Sequence, residues 1–571
     1  MIEKRWIHKP ELTPDQQQIS ETLSTDLHVD KNLSTLLAQR GVTDFESARQ
    51  FFRPNFAQLH DSYLMKDMDR AVARLTEAIE AGEKILIYGD YDVDGTTSVA
   101  LFYGFIRTIH DKLDYYIPDR YAEGYGVSWQ SIDWAQENGF TLIVTLDCGI
   151  KSVDKVAEAK KRGIDFIICD HHRPGNELPD AIAVLDPKRT DCHYPYKELT
   201  GCGVGFKFLQ AYATAHQMDG SQLFAYLDLV VISIAADIVP ITGENRILSY
   251  YGIQALNAAP RIGIKALAQI AGLSGPLDIS NVVFALSPRI NAAGRIKHAK
   301  EAVRLMLCED SQEADDFAAE INKYNLDRRS FDSTITEEAL SMIEEDTWFT
   351  AAKSTVLYKE DWHKGVIGIV ASRCIEKHHR PTIILTQSHG KATGSARSVP
   401  GFDLYEAIEA CSDLLEQYGG HTFAAGLTMN LENVPVFRQR FDEIVSSRIL
   451  PEQLIPMITV DLELKFKDIT PKLHNIIRQM GPFGPENMTP TFESKEVQLV
   501  KRPTIMKEKH IKFEVKQGDS PSFTAIGFGM AQYLNELIKA DTFSICYQIE
   551  ENNFRDQKSL QLFLKDIKFQ S

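Results

Sequence analysis

Four short stretches set carboxylates and imidazoles directly behind apolar runs. "YGDYDVDGTTS" (88–98) carries Asp90, Asp92 and Asp94, and "TLDCGI" (145–150) carries Asp147. "FIICDHHRPG" (166–175) carries Asp170, His171 and His172, and "SIAADIVP" (233–240) carries Asp237. Taken singly these are a polar strand end with a capping aspartate, or a helix-end aspartate near a turn. Gathered together, the carboxylates repel one another and some stay protonated. Divalent cations remove that conflict and supply a reason for the cluster. An oxygen-rich set with one or two imidazoles suits Mn²⁺ or Mg²⁺ better than Zn²⁺. "DYDVDG" also opens like an EF-hand loop, but position twelve is Leu101 rather than Glu, and a strand precedes it. "DCH" (191–193) has no partner pair spaced for zinc.

The elements that must position these residues follow a βα rhythm. "KILIYG" (84–89), "LDYYIP" (113–118), "TLIVTL" (141–146), "FIIC" (166–169) and "AIAVLD" (181–186) read as strands. Helical patterns over 96–110, 128–139 and 151–163 lie between them. Such alternation predicts βαβ units and a parallel sheet, whose strand carboxyl ends form the ligand-binding edge. Asp90, Asp92 and Asp94 cannot all point one way on a regular strand, so the reading places them in a loop. Asp237 ends the apolar, helix-like run 227–241.

The flanking regions fill out the organisation. Residues 1–75 read as helical and irregular. Residues 310–346 are polar, carry no strand signal and predict a long connecting helix. A second α/β rhythm follows, and beyond about 455 short strands with turns predict a small barrel of the OB type. The fold expected is α/β, with two α/β lobes joined by a long helix and a C-terminal OB-like β-barrel. The segments are 1–75, 76–305, 306–350, 351–450 and 451–571.

With 44% hydrophobic and 25% charged residues, the 571-residue chain has the composition of an ordinary globular protein. "MIEKRW" is charged and no apolar leader follows, and the longest apolar stretch is too short to span a bilayer. Eight cysteines without a CxxC pair read as reduced thiols. The expectation is a cytoplasmic protein without a membrane contact. A net charge of −17 argues against a simple nucleic-acid coat protein but leaves room for a local basic channel.

"GDYDVDG", "PDRYAEGYG", "TLDCGI", "CDHH" and "AADIVP" resemble, in order, the motifs of the DHH phosphoesterase superfamily. "SPRINAAGRI" (287–296), "WHKGVIGIVASR" (362–373), "GSARSVPGFDL" (394–404), "YGGHTFAAG" (418–426) and "GPFGPENMTPTF" (481–492) resemble its RecJ family of single-strand-specific 5′-exonucleases. The likeness covers roughly residues 70–571.

The resemblance implies two-metal hydrolysis, with Mn²⁺ or Mg²⁺ as cofactor and two ions in the site. Carried onto this sequence, Asp92, Asp94, Asp147, His171 and Asp237 are the metal ligands, with Asp147 and Asp237 bridging. Many smaller relatives carry a ligand histidine where Tyr88 stands, so Asp90 is expected to supply the missing ligand. Asp90, Asp147 and His172 are the expected catalytic residues, with His172 beside the scissile phosphate. Arg289, Asn291 and Arg295 are expected to hold the strand's backbone or 5′ end. Ser395, Arg397 and His421, in a DHHA1 domain, are expected to contact phosphate. Lys501, Arg502, Lys507, Lys509 and Lys512 form a basic stripe on the expected barrel, suited to single-stranded DNA. The partners implied are single-stranded DNA, a single-strand-binding protein and a helicase, acting with a monomer in recombination and repair. The alternative reading is a phosphoesterase of oligonucleotides or small nucleotides. "GRIKHA" departs from the usual family continuation and leaves Lys297 and His298 without a role.

Overall fold

The computed structural model describes residues 3–554 and 557–569. The chain divides into two compact units. One holds residues 12–325 and 472–489, and the other holds the described parts of 1–11, 326–471 and 490–571.

The first unit begins with helices α1 (Pro14–Leu27), α2 (Lys31–Ala38), α3 (Phe45–Phe52) and α4 (Met68–Glu80). Its sheet contains β2 (Ile85–Gly89), β3 (Leu113–Tyr116), β4 (Leu142–Leu146), β5 (Asp165–Cys169) and β6 (Ala183–Leu185), β1 (Arg5–His8) being in the other unit. The strands lie in the order β3-β2-β4-β5-β6, and all four pairings are parallel. Alternate residues face opposite layers, because successive strand side chains point to opposite faces. Ile85, Ile87, Val144 and Ile167 join the core with α4, α5 (Val93–Ile106), α8 (Gly201–Ala215) and α9 (Leu227–Ala236). Leu86, Tyr88, Ile143 and Ile168 face α6 (Trp129–Glu137) and α7 (Val153–Lys161). This is a doubly wound sheet whose strand order reverses between β2 and β4, where such folds bind their ligands.

Among the described residues the second unit has three sheets, the smallest being the parallel pair of β1 with Met457–Val460. Strands β7 (Thr355–Tyr358), β8 (Thr382–Ser388), β9 (Lys391–Arg397), β10 (Gln417–His421) and β11 (Ala424–Met429) lie in the order β10-β11-β9-β8-β7. Strands β13 (Leu462–Glu463), β14 (Phe492–Met506), β15 (His510–Lys516), β16 (Phe523–Gly527), β17 (Phe543–Phe554) and β18 (Gln557–Phe569) follow β12 (Met457–Val460). Pairing of β17 with both β18 and β14 closes a five-stranded barrel of the OB type.

The helix expected over 310–346 spans Ser311–Glu345. Its early apolar residues, Ala314, Ala318 and Ile321, belong to the core of the first unit. Ile335, Ala339 and Ile343 belong to a core with Trp362 and Val370 in the second. None of the described helices is long and apolar enough to cross a membrane.

Candidate metal centre

β2, β4, β5 and α9 deliver the cluster. Asp90 follows β2, Asp147 follows β4, Asp170 to His172 follow β5, and Asp237 caps the C-terminus of α9. The ladder runs on into the site: the Asp147 N–H donates to Cys169 O at 2.9 Å, and the Asp170 N–H to Leu185 O at 2.9 Å. The loop expected over 90–94 is shorter than the sequence indicates. Asp92 is the N-cap of α5 and accepts the Gly95 N–H at 3.1 Å, so Asp94 falls inside the first helical turn. Asp94 also anchors two other helices. It accepts the N–H groups of Gly201 (2.7 Å) and Cys202 (2.9 Å) at the start of α8, and the Ser233 hydroxyl of α9 (2.7 Å). Gly201 is required there, since a Cβ would lie 2.5 Å from Asp147 Cβ.

His171 stands at the centre. Its Nε2 lies 3.1 Å from Asp147 Oδ1, 3.6 Å from Asp94 Oδ2 and 3.7 Å from Asp237 Oδ2. Two overlapping groups, Asp147–His171–His172 and Asp94–His171–Asp237, each gather ligand atoms within 4.8 Å of one another. Asp90 and Asp92 lie outside these two groups, yet their charges act on Asp147. Asp147 has a left-handed backbone (φ 60), which turns its carboxylate toward the others.

The electrostatics suit the binding of cations. Burial and neighbouring carboxylates push Asp90, Asp92, Asp147 and Asp237 upward. Burial pushes His171 down, toward the neutral form a metal ligand needs. Both carboxylate oxygens of Asp90, together with Asp147 Oδ1 and His171 Nδ1, are buried without a hydrogen-bond partner. Native interiors rarely leave such groups unsatisfied without an ion, a water or a function. The donor set of carboxylates and imidazole fits Mn²⁺ or Mg²⁺.

Asp170, the aspartate of "CDHH", is a residue to which the motifs assign no role. It accepts the N–H groups of Ile150, His171 and His172 at 2.7–3.0 Å, and its Oδ1 lies 2.8 Å from His172 Nδ1. Its burial opposes the charge, but His172 and these donors hold it at about 2. Burial likewise opposes charge on His172, and Asp170 outweighs it, lifting the imidazole to about 9. His172 therefore carries a proton beside the carboxylates. Tyr125, in the motif "PDRYAEGYG", is a second residue given no role from sequence: its hydroxyl lies 3.2 Å from His172 Nε2 and 3.3 Å from Asp147 O.

Comparison with known proteins places this arrangement. Family models match residues 84–234 (DHH family, N-terminal domain), 351–447 (DHHA1 domain) and 460–566 (RecJ OB domain). A Bacillus subtilis (strain 168) protein, single-stranded-DNA-specific exonuclease RecJ, is 38% identical over 97% of this chain and 70% of its own length. Its namesake in Escherichia coli (strain K12) is 33% identical over 98% of this chain and 99% of its own. The chain belongs to the RecJ family. The crystal structure of RecJ from Thermus thermophilus in complex with Mn²⁺ superposes with a TM-score of 0.85, at 26% identity. The match covers 99% of this chain and 80% of that one. A second structure, exonuclease RecJ bound to manganese, matches with a TM-score of 0.60 at 33% identity, over 70% of this chain and 98% of that one.

The other residues expected from the RecJ likeness fall into two places. Arg289, Asn291 and Arg295 lie on the helix Ser287–Ile296. Arg289 donates to Asn322 Oδ1 (3.0 Å) and Ala285 O (2.7 Å). A Cβ on Gly294 would sit 2.6 Å from Tyr91 O, so this helix abuts the loop that carries Asp90 and Asp92. Arg120, which lies in the motif "PDRYAEGYG" but was given no role there, stacks over Tyr91 at 4.8 Å and partly offsets the upward shift of Asp90 and Asp92. Lys297 and His298 line a cavity of about 680 Å³ with Tyr121 and Phe317. Ser395, Arg397 and His421 belong to the second unit. There Ala424 pairs with both Arg397 and His421, and Arg397 Nη1 donates to Ser395 Oγ at 3.0 Å.

Proposed function

We propose that this chain is a single-stranded-DNA-specific exonuclease that hydrolyses phosphodiester bonds from the 5′ end and releases 5′-mononucleotides, in DNA recombination and repair. The observation that carries the reading is the convergence of Asp94, Asp147, His171, His172 and Asp237 at the switch point of the sheet. Relatives that share nearly the whole chain are named single-stranded-DNA-specific exonucleases.

Asp90, Asp92, Asp94, Asp147, His171 and Asp237 would hold the two ions. Bound Mn²⁺ or Mg²⁺ supplies charge neutralisation, an activated water and stabilisation of the leaving oxygen in an in-line displacement. Asp90 and Asp147 serve catalysis through this set. His172, protonated and oriented by Asp170, donates to the scissile phosphate. Arg289, Asn291 and Arg295 hold the strand's backbone, and Ser395, Arg397 and His421 contact phosphate. The working form is a cytoplasmic monomer that meets its strand beside a single-strand-binding protein and a helicase.

The test is a digestion time course in Mn²⁺ and in Mg²⁺. Substrates are a 5′-labelled single strand, a 3′-labelled single strand, a blunt duplex and a dinucleotide, with Asp147→Ala as control. Early release of labelled mononucleotide from the 5′ end, an intact duplex and an inert variant are expected. Cleavage of the dinucleotide alone moves the chain to the small-nucleotide phosphoesterases.

A further inference from the structure

Ile238 follows Asp237 at the end of α9, and its backbone is left-handed (φ 59). Glycine usually fills that position beyond a helix end, and β-branched residues suit it least. Among the described non-glycine residues with positive φ, Ile238 is the β-branched one. The conformational cost is not recovered by burial, because the residue is 67% exposed. The surrounding backbone is clamped. Asn245 Nδ2 and the Tyr196 hydroxyl donate to Pro240 O at 3.0 and 3.2 Å, and the Ile241 N–H donates to Pro485 O at 2.9 Å. A glycine in this clamp would carry no strain and expose no apolar surface. Strain held by its surroundings beside a site points from the outlier to a function.

The place of the side chain suggests what it touches. Asp237 Oδ2 lies 3.7 Å from His171 Nε2 inside the cluster. On the His172 side, Tyr125 is a second exposed apolar group, 54% exposed. A phosphodiester held at this cluster has a sugar on either side, and Ile238 is the exposed apolar residue that adjoins Asp237 in the chain. Ile238 offers that sugar neither donor nor acceptor. A deoxyribose packs against such a surface, whereas a 2′-hydroxyl loses its water there without a replacement partner.

We propose that Ile238 is a specificity-determining residue that packs against the sugar beside the scissile phosphate and selects deoxyribose over ribose. This rests on the exonuclease reading above. The experiment compares wild type, Ile238→Asn and Ile238→Val on one sequence, made as DNA and with ribonucleotides at its 5′-terminal positions. Ile238→Asn removes the strain and offers a partner to a 2′-hydroxyl. It is expected to lower the DNA-to-RNA ratio of kcat/KM about tenfold and to raise the melting temperature. Ile238→Val is expected to keep the wild-type ratio. A wild-type ratio in Ile238→Asn overturns the proposal, as does a wild type that digests both strands equally. An unchanged or lower melting temperature in Ile238→Asn overturns the strain on which it stands. A wild type that digests neither strand overturns the exonuclease reading with it.

Discussion

His172 and Asp237 both bind protons more readily in the fold than in the open chain, for different reasons. His172 is lifted to about 9 by Asp170 against its own burial, and Asp237 is lifted by burial and by Asp94 and Asp92. A group whose pKa rises on folding contributes stability at low pH that is lost as pH climbs. His171 is shifted the other way, and its opposing effect lies below the ordinary imidazole value of about 6.5. Above that pH only the raised groups count, so the metal-free protein should weaken steadily toward alkaline pH. Divalent ions reverse the repulsion, and proton release favours their binding as pH rises. The melting-temperature gain from Mn²⁺ should therefore be larger at about pH 8.5 than at about pH 6. Thermal melts with and without Mn²⁺ across this range read it directly, and a gain that does not change with pH would refute it. At this scale the carboxylates were legible because each follows or ends an apolar run, Asp237 that of a helix. The position of Asp170 was legible for the same reason, but its role was not, because that role lies in three backbone donors and one imidazole that only the fold brings around it.

Glu244 shows how the elements behind the site are tied. It is buried on α9's neighbour, the helix Gly243–Ala258, and accepts from Tyr194 (2.7 Å), Lys207 (3.3 Å) and the His60 N–H (3.0 Å). Lys207 Nζ also donates to His60 O at 2.6 Å. One buried ion pair thus pins the segment before α4 to α8, whose first turn is anchored by Asp94. Removing one member leaves the other buried and uncompensated, which costs about 3–5 kcal/mol. Glu244→Ala should show that loss in denaturant unfolding, and native-state proteolysis should cut near His60. A replacement that leaves stability unchanged would refute the coupling. The sheet itself was readable from sequence, since a doubly covered parallel strand is a continuous apolar run. The start of α5 was misplaced because Val93, Asp94 and Gly95 are poor helix formers, and the Asp92 cap decides the boundary. β1 (Arg5–His8) was not foreseen at all. "RWIH" shows no clear alternation, and its parallel partner β12 lies about 450 residues further along the chain.

Over the whole molecule, a net charge of −17 stands against a polyanionic substrate. Global charge sets long-range repulsion, but binding depends on cations placed along the strand's path. The β14–β15 hairpin, in the second unit, is the candidate place for such cations. Lys507 and Lys509 are exposed at its tip, and Lys507 has a left-handed backbone (φ 48). Lys501 is partly spent on Glu514, 2.7 Å away, whereas the tip lysines, like Arg502 and Lys512, are exposed. If the hairpin takes part, a long strand gains from its charges, whereas a dinucleotide needs only the metal cluster. Reversing both charges, Lys507→Glu with Lys509→Glu, should raise KM for a long single strand about tenfold. It should leave dinucleotide hydrolysis and the Mn²⁺-induced melting shift unchanged. The dependence of strand affinity on salt should flatten by about 0.7 in log–log slope for each phosphate that is no longer neutralised. Equal losses on long and short substrates would instead place the effect at the metal cluster, and an unchanged salt slope would remove the hairpin from the binding path.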